Sequence, residues 1–520
     1  MRTLIALTGS VAALLAASAA SAQTTWFEEP QAPGPWIGLG DDDLAAVEGF
    51  SADHPVVGTY LFYWYDEYSG AHLAYGDGGD ACTTHPPSWW DYSFNSTRWW
   101  LEQLADITAA GIDFAAPVYW GYPGDYGGWS FAGLPHLVRA CDYLQGLGRP
   151  YPKIALFYDT STLQHNSAGQ HIDLSTPDGK AWFYCSIRDF FSFVPPRYRA
   201  AIDGRPIVLL YSPHFAAQQD PALFPYVRER FRADFGAEPY IIKQTSWQGE
   251  ADNTCEWGGA LGLRLAGCAA LGPGYDHTAV RGRQPLIVPR EGGEFYRRSW
   301  ERLLALSPER RPCLVMVETW NEFHEGTDVA ASQEYGRQYI DLTREYADRF
   351  RAGERIRPTG PFADARAVEA DLGAEAADAG VRIVEPADGA FIRAERAGRA
   401  CVESTPTEHG GCYLYFDLDP SFAFEADPQP MRITVEYLDA GCDVLQLEYD
   451  SLDPGGSVRE GAFKAGGRVE IGGTGEWRSA QFDLDDARFA DRANGADFRF
   501  AVQGAGELAL AAVRVEKLGD

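Results

Sequence analysis

Apolar runs alternate with amphipathic segments along the first two thirds of the chain, starting with the run VVGTYLFYWY. Short apolar, β-branched runs are typical of buried strands, whereas a 3.6-residue period is typical of helices. The runs predict strands at residues 56–65, 112–120, 153–159, 205–212, 239–246, 268–275 and 312–320. The segments between them have Ser, Thr, Pro or Gly at their ends and predict helices at residues 96–110, 132–147, 177–194, 221–235, 293–306 and 332–350.

Strands that alternate with helices predict a parallel sheet with the helices outside it. An α/β fold with a closed (β/α)8 TIM-type barrel over residues 51–352 is the economical arrangement for this many strands. Its eighth strand is expected within residues 257–265. An open doubly wound sheet is the alternative, but that fold usually carries a glycine-rich nucleotide loop, and the sequence has none.

The pattern changes after residue 352. Residues 353–380 are expected to be a linker, Ala-rich and acidic from residue 363 on. Residues 381–520 then show short β-type runs punctuated by Gly, Pro and Asp, which predict a C-terminal β-sandwich. The expected strands lie at residues 381–384, 412–418, 431–438, 444–449, 468–471, 480–484, 498–502 and 508–516. Carbohydrate binding, a calcium site and a purely structural role all stay open for this region.

The N-terminus has the pattern of a secretory signal peptide over residues 1–22, ending in Ala20-Ser21-Ala22, with a leader over residues 23–50. No later apolar stretch reaches the roughly 18 residues that a membrane helix needs. The mature protein is therefore expected to be exported, periplasmic or extracellular, without membrane insertion.

The net charge excludes one class of binding partner, and the cysteine content bears on disulfides and metal binding. The chain has 74 acidic and 44 basic residues, a formal charge of −30, and such a surface repels nucleic acid. An oxidising compartment favours disulfides, and because the chain has nine cysteines, at least one of them cannot take part in an intramolecular disulfide. Cys401 and Cys412 are one candidate pair, and Cys442 is a rival partner. No Cys/His cluster indicates zinc, so neither a metal nor a cofactor is expected.

Aromatic and polar side chains follow several predicted strands, at the end where barrel enzymes build their sites. An aromatic face stacks on the C–H face of a sugar, and polar groups bind its hydroxyls, so a polysaccharide or oligosaccharide substrate is expected. The ordinary core is the alternative for these aromatic residues. The candidate substrate-binding residues are Tyr63, Trp64, Asp66, Trp89, Tyr119, Trp120, Tyr158, Asp159, Trp247, Tyr275, Glu318, Trp320, Asn321 and His324.

Glu322 and Glu325 are the candidate catalytic pair. Their i, i+3 spacing places both carboxylates on one face of a helical turn, with Cβ atoms about 5–6 Å apart. Two close carboxylates suit glycosidic bond cleavage, in which one protonates the leaving oxygen and the other activates a nucleophile. Their proximity also separates their pKa values. A solvated acidic loop is the alternative.

The segment NEFHEGT (321–327) resembles the N-E-W-H-E-G-T signature of glycoside hydrolase family 99, the endo-α-mannosidases and endo-α-mannanases. Phe323 stands where that signature has Trp. A looser resemblance extends over residues 57–350, and the whole pattern resembles secreted bacterial proteins described as family 99-like. The resemblance implies a (β/α)8 barrel and a retaining mechanism through a 1,2-anhydro sugar. It also implies that Glu322 is the base for the 2-hydroxyl and Glu325 the general acid/base.

These observations predict a secreted glycoside hydrolase that cleaves an α-linked polysaccharide, with an endo-α-mannanase as the model. A noncatalytic glycan-binding protein and a polysaccharide-assembly protein on a related barrel are the alternatives. Two other enzyme classes are not indicated, because His324-Glu325 lacks the second His of an HExxH zinc site and no G-x-S-x-G motif occurs.

Overall fold

The computed structural model describes residues 26–40, 43, 49–73, 81–88, 90–357, 359–373, 379–386, 388–406, 412–425, 429–453, 455 and 461–519. The predicted signal peptide and the site candidate Trp89 lie outside these residues. No helix in the described part of the chain is both long and apolar enough to span a membrane.

The first part of the chain forms a curled, mainly parallel sheet with helices packed against it. Its strands are β1 (Val56–Leu61), β2 (Phe114–Tyr119), β3 (Lys153–Ile154), β4 (Leu156–Tyr158), β5 (Ala201–Ile202), β6 (Arg205–Leu210), β7 (Tyr240–Lys243), β8 (Asn253–Thr254), β9 (Arg264–Leu265), β10 (Ala269–Leu271) and β13 (Leu314–Val317). A separate antiparallel pair is formed by β11 (Tyr275–Asp276) and β12 (Ile287–Val288). The helices are α1 (Thr97–Ala109), α2 (Trp129–Gly146), α3 (Pro177–Phe193), α4 (Leu223–Phe235), α5 (Glu294–Ala305) and α6 (Gln338–Arg351).

The strand order β8-β7-β6-β4-β2-β1-β13-β10 places β1 inside the parallel series, between β2 and β13. Every residue of β1 and β2 is buried, as expected for parallel strands covered on both faces. Local signals also agree with the helix ends. Ser96 caps α1 through the amide of Trp99, and Gly236 ends α4 in the left-handed conformation, with φ of 75°.

The sheet is not closed into a barrel. Strands β8 and β10 lie at opposite ends of the parallel series, and no ladder of strand hydrogen bonds joins them in the described part of the chain. We call the gap between these two strands the seam. A backbone hydrogen bond of 2.7 Å, from Cys268 N to Thr254 O, crosses the seam. The eighth parallel strand is β8 and lies before the predicted residues 257–265, which instead contain a 3-10 turn and the antiparallel strand β9.

The C-terminal part of the chain forms two antiparallel sheets, here called the two-sheet region. The order β16-β17-β24-β19-β22, with β14 also paired to β24, makes one sheet, and β15-β18-β23-β20-β21 makes the other. Side chains from both sheets share one hydrophobic core. The strands are β14 (Ala367–Asp371), β15 (Val381–Val384), β16 (Phe391–Arg396), β17 (Arg399–Ser404), β18 (Tyr413–Leu418), β19 (Met431–Leu438), β20 (Val444–Tyr449), β21 (Lys464–Glu470), β22 (Trp477–Leu484), β23 (Phe498–Gln503) and β24 (Ala509–Lys517).

The expected linker over residues 353–380 is wrong in part, because β14 lies within it and pairs with β24. Its Val368 and Ala370 are buried while Glu369 and Asp371 are exposed, an alternation that the Ala-rich, acidic composition concealed. Strand β16 was also not predicted, because its side chains are mostly exposed and include charged residues.

Candidate functional site

The segment after β13 folds back on itself through two threonines. Thr319 N donates to Thr327 O at 3.0 Å, and the two hydroxyl oxygens lie 2.9 Å apart. The Thr319 hydroxyl also accepts the amide hydrogen of Glu322 at 2.9 Å. These bonds close a loop at the carboxyl end of β13, and its tip, the 322–325 turn, carries both Glu322 and Glu325.

Glu322 is buried and bound to His324. Its Oε1 accepts hydrogen bonds from His324 N at 3.0 Å and from Nδ1 of the same residue at 2.8 Å. The other ring nitrogen, Nε2, lies 3.0 Å from His72 O. Because both ring nitrogens face acceptors, this geometry fits a doubly protonated imidazolium.

The electrostatics of this pair agree with the geometry. Burial by itself lowers the pKa of His324, but the Glu322 carboxylate and the Cys82 side chain together outweigh it and raise that pKa to about 11. Burial raises the pKa of Glu322, the imidazolium offsets part of that rise, and the Glu325 carboxylate adds to it. Glu322 is therefore a carboxylate with an elevated pKa that a fixed cation keeps ionised.

Glu325 lies on the open side of the same turn and is half-buried. Its Oε1 accepts a hydrogen bond from Arg283 Nη1 at 2.7 Å, and the arginine side chain is half exposed. Burial and the Glu325 carboxylate together raise the pKa of Tyr275, which places that phenol beside Glu325. Glu325 is thus the member of the pair that can meet a ligand from solvent.

Glu318, at the end of β13, is a third carboxyl group in this region. It is 2% exposed, and its Oε2 accepts the amide hydrogen of Gly258 at 2.9 Å. Burial raises the pKa of Glu318 to about 8, although backbone amides of Gly258, Gly259 and Ala260 act to lower it. Its Oε1 has no hydrogen-bond partner among the described residues. At neutral pH this group is largely protonated.

Half-buried aromatic side chains follow four of the parallel strands and surround the turn. We call them the aromatic rim: Trp64 after β1, Trp120 after β2, Trp129 at the start of α2, Tyr211 after β6 and Trp257 after β8. Ring stacking holds them in place. The centroids of Trp120 and Trp129 are 6.3 Å apart, and an interplanar angle of 5° relates Trp257 to Phe157 below it. Such ring faces are what a sugar stacks on.

Tyr211 lies near three carboxyl groups of the site. Burial, followed by the carboxylates of Asp159, Glu325 and Glu318, raises the pKa of Tyr211 to about 12. Burial also raises the pKa of Asp159, which is half-buried at the end of β4. Trp247 supports this group from behind, because it is buried and its Nε1 donates to Tyr211 O at 2.5 Å.

Tyr211, Trp129 and Trp257 were not predicted as site residues. The signal for Tyr211 was present, because it lies near the end of the fourth predicted strand, residues 205–212, the one strand end from which no candidate was taken. Trp257 stood in a segment predicted to be a strand, and Trp129 stands at a helix start that was placed three residues too late.

Tyr63, Tyr119 and Tyr158 are not on the rim, contrary to the prediction. Each is at most 1% exposed, and their rings pack against Trp100, Phe190 and Phe183 on the surrounding helices. The reason is the alternation of side chains along a strand, which directs these three positions outward toward the helices. A soluble sugar cannot reach them in this structure.

Three further candidates hold the loops rather than face solvent. Asn321 is buried and forms two hydrogen bonds of 2.7 Å with the backbone of Phe62, and Trp320 donates to Gln103 Oε1 at 2.8 Å. Asp66 accepts hydrogen bonds of 2.6 Å from the hydroxyls of Ser69 and Ser93. Of the predicted candidates, the structure therefore brings together Trp64, Trp120, Asp159, Tyr275, Glu318, Glu322, His324 and Glu325.

Carboxylates that could share a metal ion lie away from the 322–325 turn. Within the described ranges, the carboxylates that lie close enough together to share an ion are those of Asp417, Asp491 and Asp497, in the two-sheet region. Neither Glu322 nor Glu325 belongs to that group. The chemistry available at the turn is therefore that of its carboxylates, imidazolium and phenols.

A model of the family described as Domain of unknown function (DUF5010) matches residues 77–379, which is more than half of the chain. No curated protein matches the chain. One similar solved structure is the GH99 endo-alpha-mannosidase from Bacteroides thetaiotaomicron, with 16% identity, coverage of 58% of this chain and 99% of that one, and a TM-score of 0.43. Another is a glycoside hydrolase-like protein, with 20% identity, coverage of 60% and 99%, and a TM-score of 0.42.

The carbohydrate binding module CBM6cm-2 of Cellvibrio mixtus lichenase 5A, in complex with cellotriose, is also similar to part of the chain. Its identity is 13%, the match covers 29% of this chain and 97% of that one, and the TM-score is 0.18. Scores of this size do not establish a shared activity.

Proposed function

The chain belongs to the DUF5010 family, which is described as a domain of unknown function. For this member of the family we propose an exported glycoside hydrolase that cleaves an α-linked polysaccharide. The observation that carries the proposal is the pairing of a buried carboxylate, Glu322, with a half-buried one, Glu325, on one turn inside an aromatic rim. A glycosidase needs two carboxyl groups in different environments, because one must donate a proton while the other accepts one.

Glu322 is the base in this proposal. Its pKa is raised by burial, which makes it a stronger proton acceptor than an exposed carboxylate, and His324 holds it ionised. It removes the proton of the sugar 2-hydroxyl, whose oxygen then attacks C1 and forms a 1,2-anhydro sugar. This step follows the family 99 signature that residues 321–327 resemble.

Glu325 is the general acid and then the general base. It gives a proton to the departing glycosidic oxygen, and it later takes a proton from the water that opens the anhydro ring at C1. The 2-hydroxyl regains its proton from Glu322, and the anomeric configuration is retained. Because Arg283 occupies Glu325 in the free protein, substrate binding must displace that contact before the acid step.

The aromatic rim binds the polymer. Trp64, Trp120, Tyr211 and Trp257 supply ring faces, and Asp159 and Tyr275 supply groups for hydroxyls. We propose an α-mannan as the first substrate to test, from the resemblance to endo-α-mannanases. An extended rim suits an internal segment of a chain, which favours endo action.

Reducing-sugar release by the mature chain from α-mannans, α-glucans, fucans and galactosaminans tests the proposal. Glu322→Gln and Glu325→Gln are the test variants, and Glu294→Gln, on the exposed face of α5, is the matched control. We expect release from one polymer, loss of more than about 100-fold in each test variant, and no loss in the control. Wild-type turnover in Glu322→Gln or Glu325→Gln would contradict the role of that residue.

A further inference from the structure

Two cysteines face each other across the seam. The hydrogen bond from Cys268 N, the residue before β10, to Thr254 O of β8 crosses the seam. Between parallel strands, an N–H bonds to the carbonyl of the residue before its direct neighbour, so the neighbour of Cys268 is Cys255. Adjacent strands are about 4.8 Å apart, and disulfides join Cα atoms about 4.4–6.8 Å apart. The backbone spacing of this pair is therefore that of a disulfide.

Both thiols also point to the same side of the sheet. Cys255 and Cys268 are buried, and Cys255 Sγ lies 3.8 Å from the Tyr60 hydroxyl. Burial first, and then the groups of Cys255, Glu318 and Cys268, raise the pKa of Tyr60 well above its ordinary value. One phenol thus contacts or neighbours both sulfur atoms, which requires that the two side chains project into the same interior space.

We propose that Cys255 and Cys268 form an intramolecular disulfide that closes the seam covalently. The oxidant is a protein or small molecule that carries an exchangeable disulfide. One cysteine thiolate attacks that disulfide and forms a mixed disulfide, which releases one thiolate of the oxidant. The second cysteine thiolate then attacks the mixed disulfide, forms the Cys255–Cys268 bond and releases the other thiolate. Two electrons and the two cysteine protons pass to the oxidant, which is reduced to its thiol form.

The sulfur atoms of the pair suggested by the sequence, Cys401 and Cys412, each contact a different oxygen atom. Cys401 Sγ lies 3.5 Å from Ala394 O, and Cys412 Sγ lies 3.1 Å from Ser404 Oγ. Neither contact brings the two sulfur atoms together. All nine cysteines are thiols in the structure, and the seam pair combines strand register with a shared interior contact.

The position of the bond connects it to the site. Trp257 of the aromatic rim and Gly258, whose amide donates to Glu318, come two and three residues after Cys255. A covalent link at Cys255 therefore fixes the segment that carries both. Burial and the neighbouring Cys255 thiol raise the pKa of Cys268 well above its ordinary value, so the folded thiol is a poor nucleophile. The disulfide accordingly forms while the chain folds, and it resists exchange afterwards.

Peptide mapping of the full chain, produced in an oxidising compartment, tests the proposal without any variant. The protein is denatured, alkylated and digested without reduction. The expected result is one linked peptide pair containing Cys255 and Cys268, lighter by two hydrogens than the sum of the free peptides, which separates on reduction. Recovery of both peptides fully alkylated before reduction would overturn the proposal.

Thermal unfolding gives a second readout. A disulfide that closes a loop of this length stabilises a protein enough that reductant should lower the wild-type Tm by roughly 5 °C. A double variant, Cys255→Ala with Cys268→Ala, should lose this response, and the matched control, Cys401→Ala with Cys412→Ala, should keep it. An equal response to reductant in the seam variant and the wild type would contradict the assignment. Neither result depends on glycosidase activity, so this proposal and the proposed function fail independently.

Discussion

Replacing Glu318 with Gln should make the protein more stable at alkaline pH. The pKa of Glu318 is about 8 in the folded state, compared with an ordinary value of 4.5. The folded state therefore binds more protons than the unfolded state between these values, so ionisation of Glu318 makes stability fall as the pH rises through that window. One unit of pKa difference corresponds to about 1.4 kcal/mol, so the full penalty above pH 8 is up to about 5 kcal/mol.

Glutamine removes this penalty while keeping an oxygen for the amide of Gly258, because it has nearly the same shape as a protonated glutamate. The free energy of unfolding can be measured in guanidinium chloride at pH 5, 7 and 9. Tryptophan fluorescence is a suitable signal, because Trp477 is the one tryptophan beyond residue 353 and the other 14 lie at or before residue 320. We expect a difference between variant and wild type near zero at pH 5 that grows to several kcal/mol at pH 9.

The control is Glu294→Gln. Because the Glu294 side chain is 62% exposed, this substitution should change the free energy of unfolding by a similarly small amount at every pH. A Glu318→Gln difference that stays constant from pH 5 to pH 9 would refute the reasoning. It would mean that Glu318 has the same proton affinity in the folded and unfolded states.

Further predictions concern His324, Trp257 and Arg283. His324→Asn should lower kcat and move the acidic limb of the pH profile of kcat/KM to higher pH, because Glu322 loses the cation that lowers its pKa. An acidic limb at the wild-type pH would show that His324 does not set the pKa of the base. Trp257→Ala should raise KM by about 10-fold with little change in kcat, whereas an unchanged KM would remove this ring from the binding surface. Arg283→Met should lower KM or leave it unchanged, since the arginine competes with substrate for Glu325, and a KM several-fold higher would show that Arg283 binds substrate instead.

The positions of the long parallel strands could be predicted because each is an uninterrupted apolar run. Strand β8 could not, since Asn253–Thr254 is short and polar and is a strand only through its pairing with β7. The open seam could not be predicted either. Closure of the sheet into a barrel depends on the geometry of a few residues at the two ends of the sheet, and no periodicity in the sequence indicates that geometry.

For the site, the sequence indicated the 322–325 turn and the chemistry of its carboxylates, but not which aromatic residues face it. Tyr63 and Trp64 are adjacent in the chain, yet one packs against helices and the other lies on the rim, because successive strand-end side chains diverge. The burial of Glu318 arises from the tertiary position of the loop that begins at Gly258, and the sequence spacing of the two segments carries no sign of it.

The most direct test of the central claim measures binding and cleavage together on one α-linked oligosaccharide taken from a polymer that the wild type binds. Calorimetric titration of Glu325→Gln and of the wild type, followed by product analysis of both proteins with the same ligand, supplies both quantities. We expect the variant to bind the ligand with an affinity close to the wild-type KM and to release no product, while the wild type cleaves it with retention of configuration. Equal binding by both proteins with no product from either would contradict it and identify a glycan-binding protein instead.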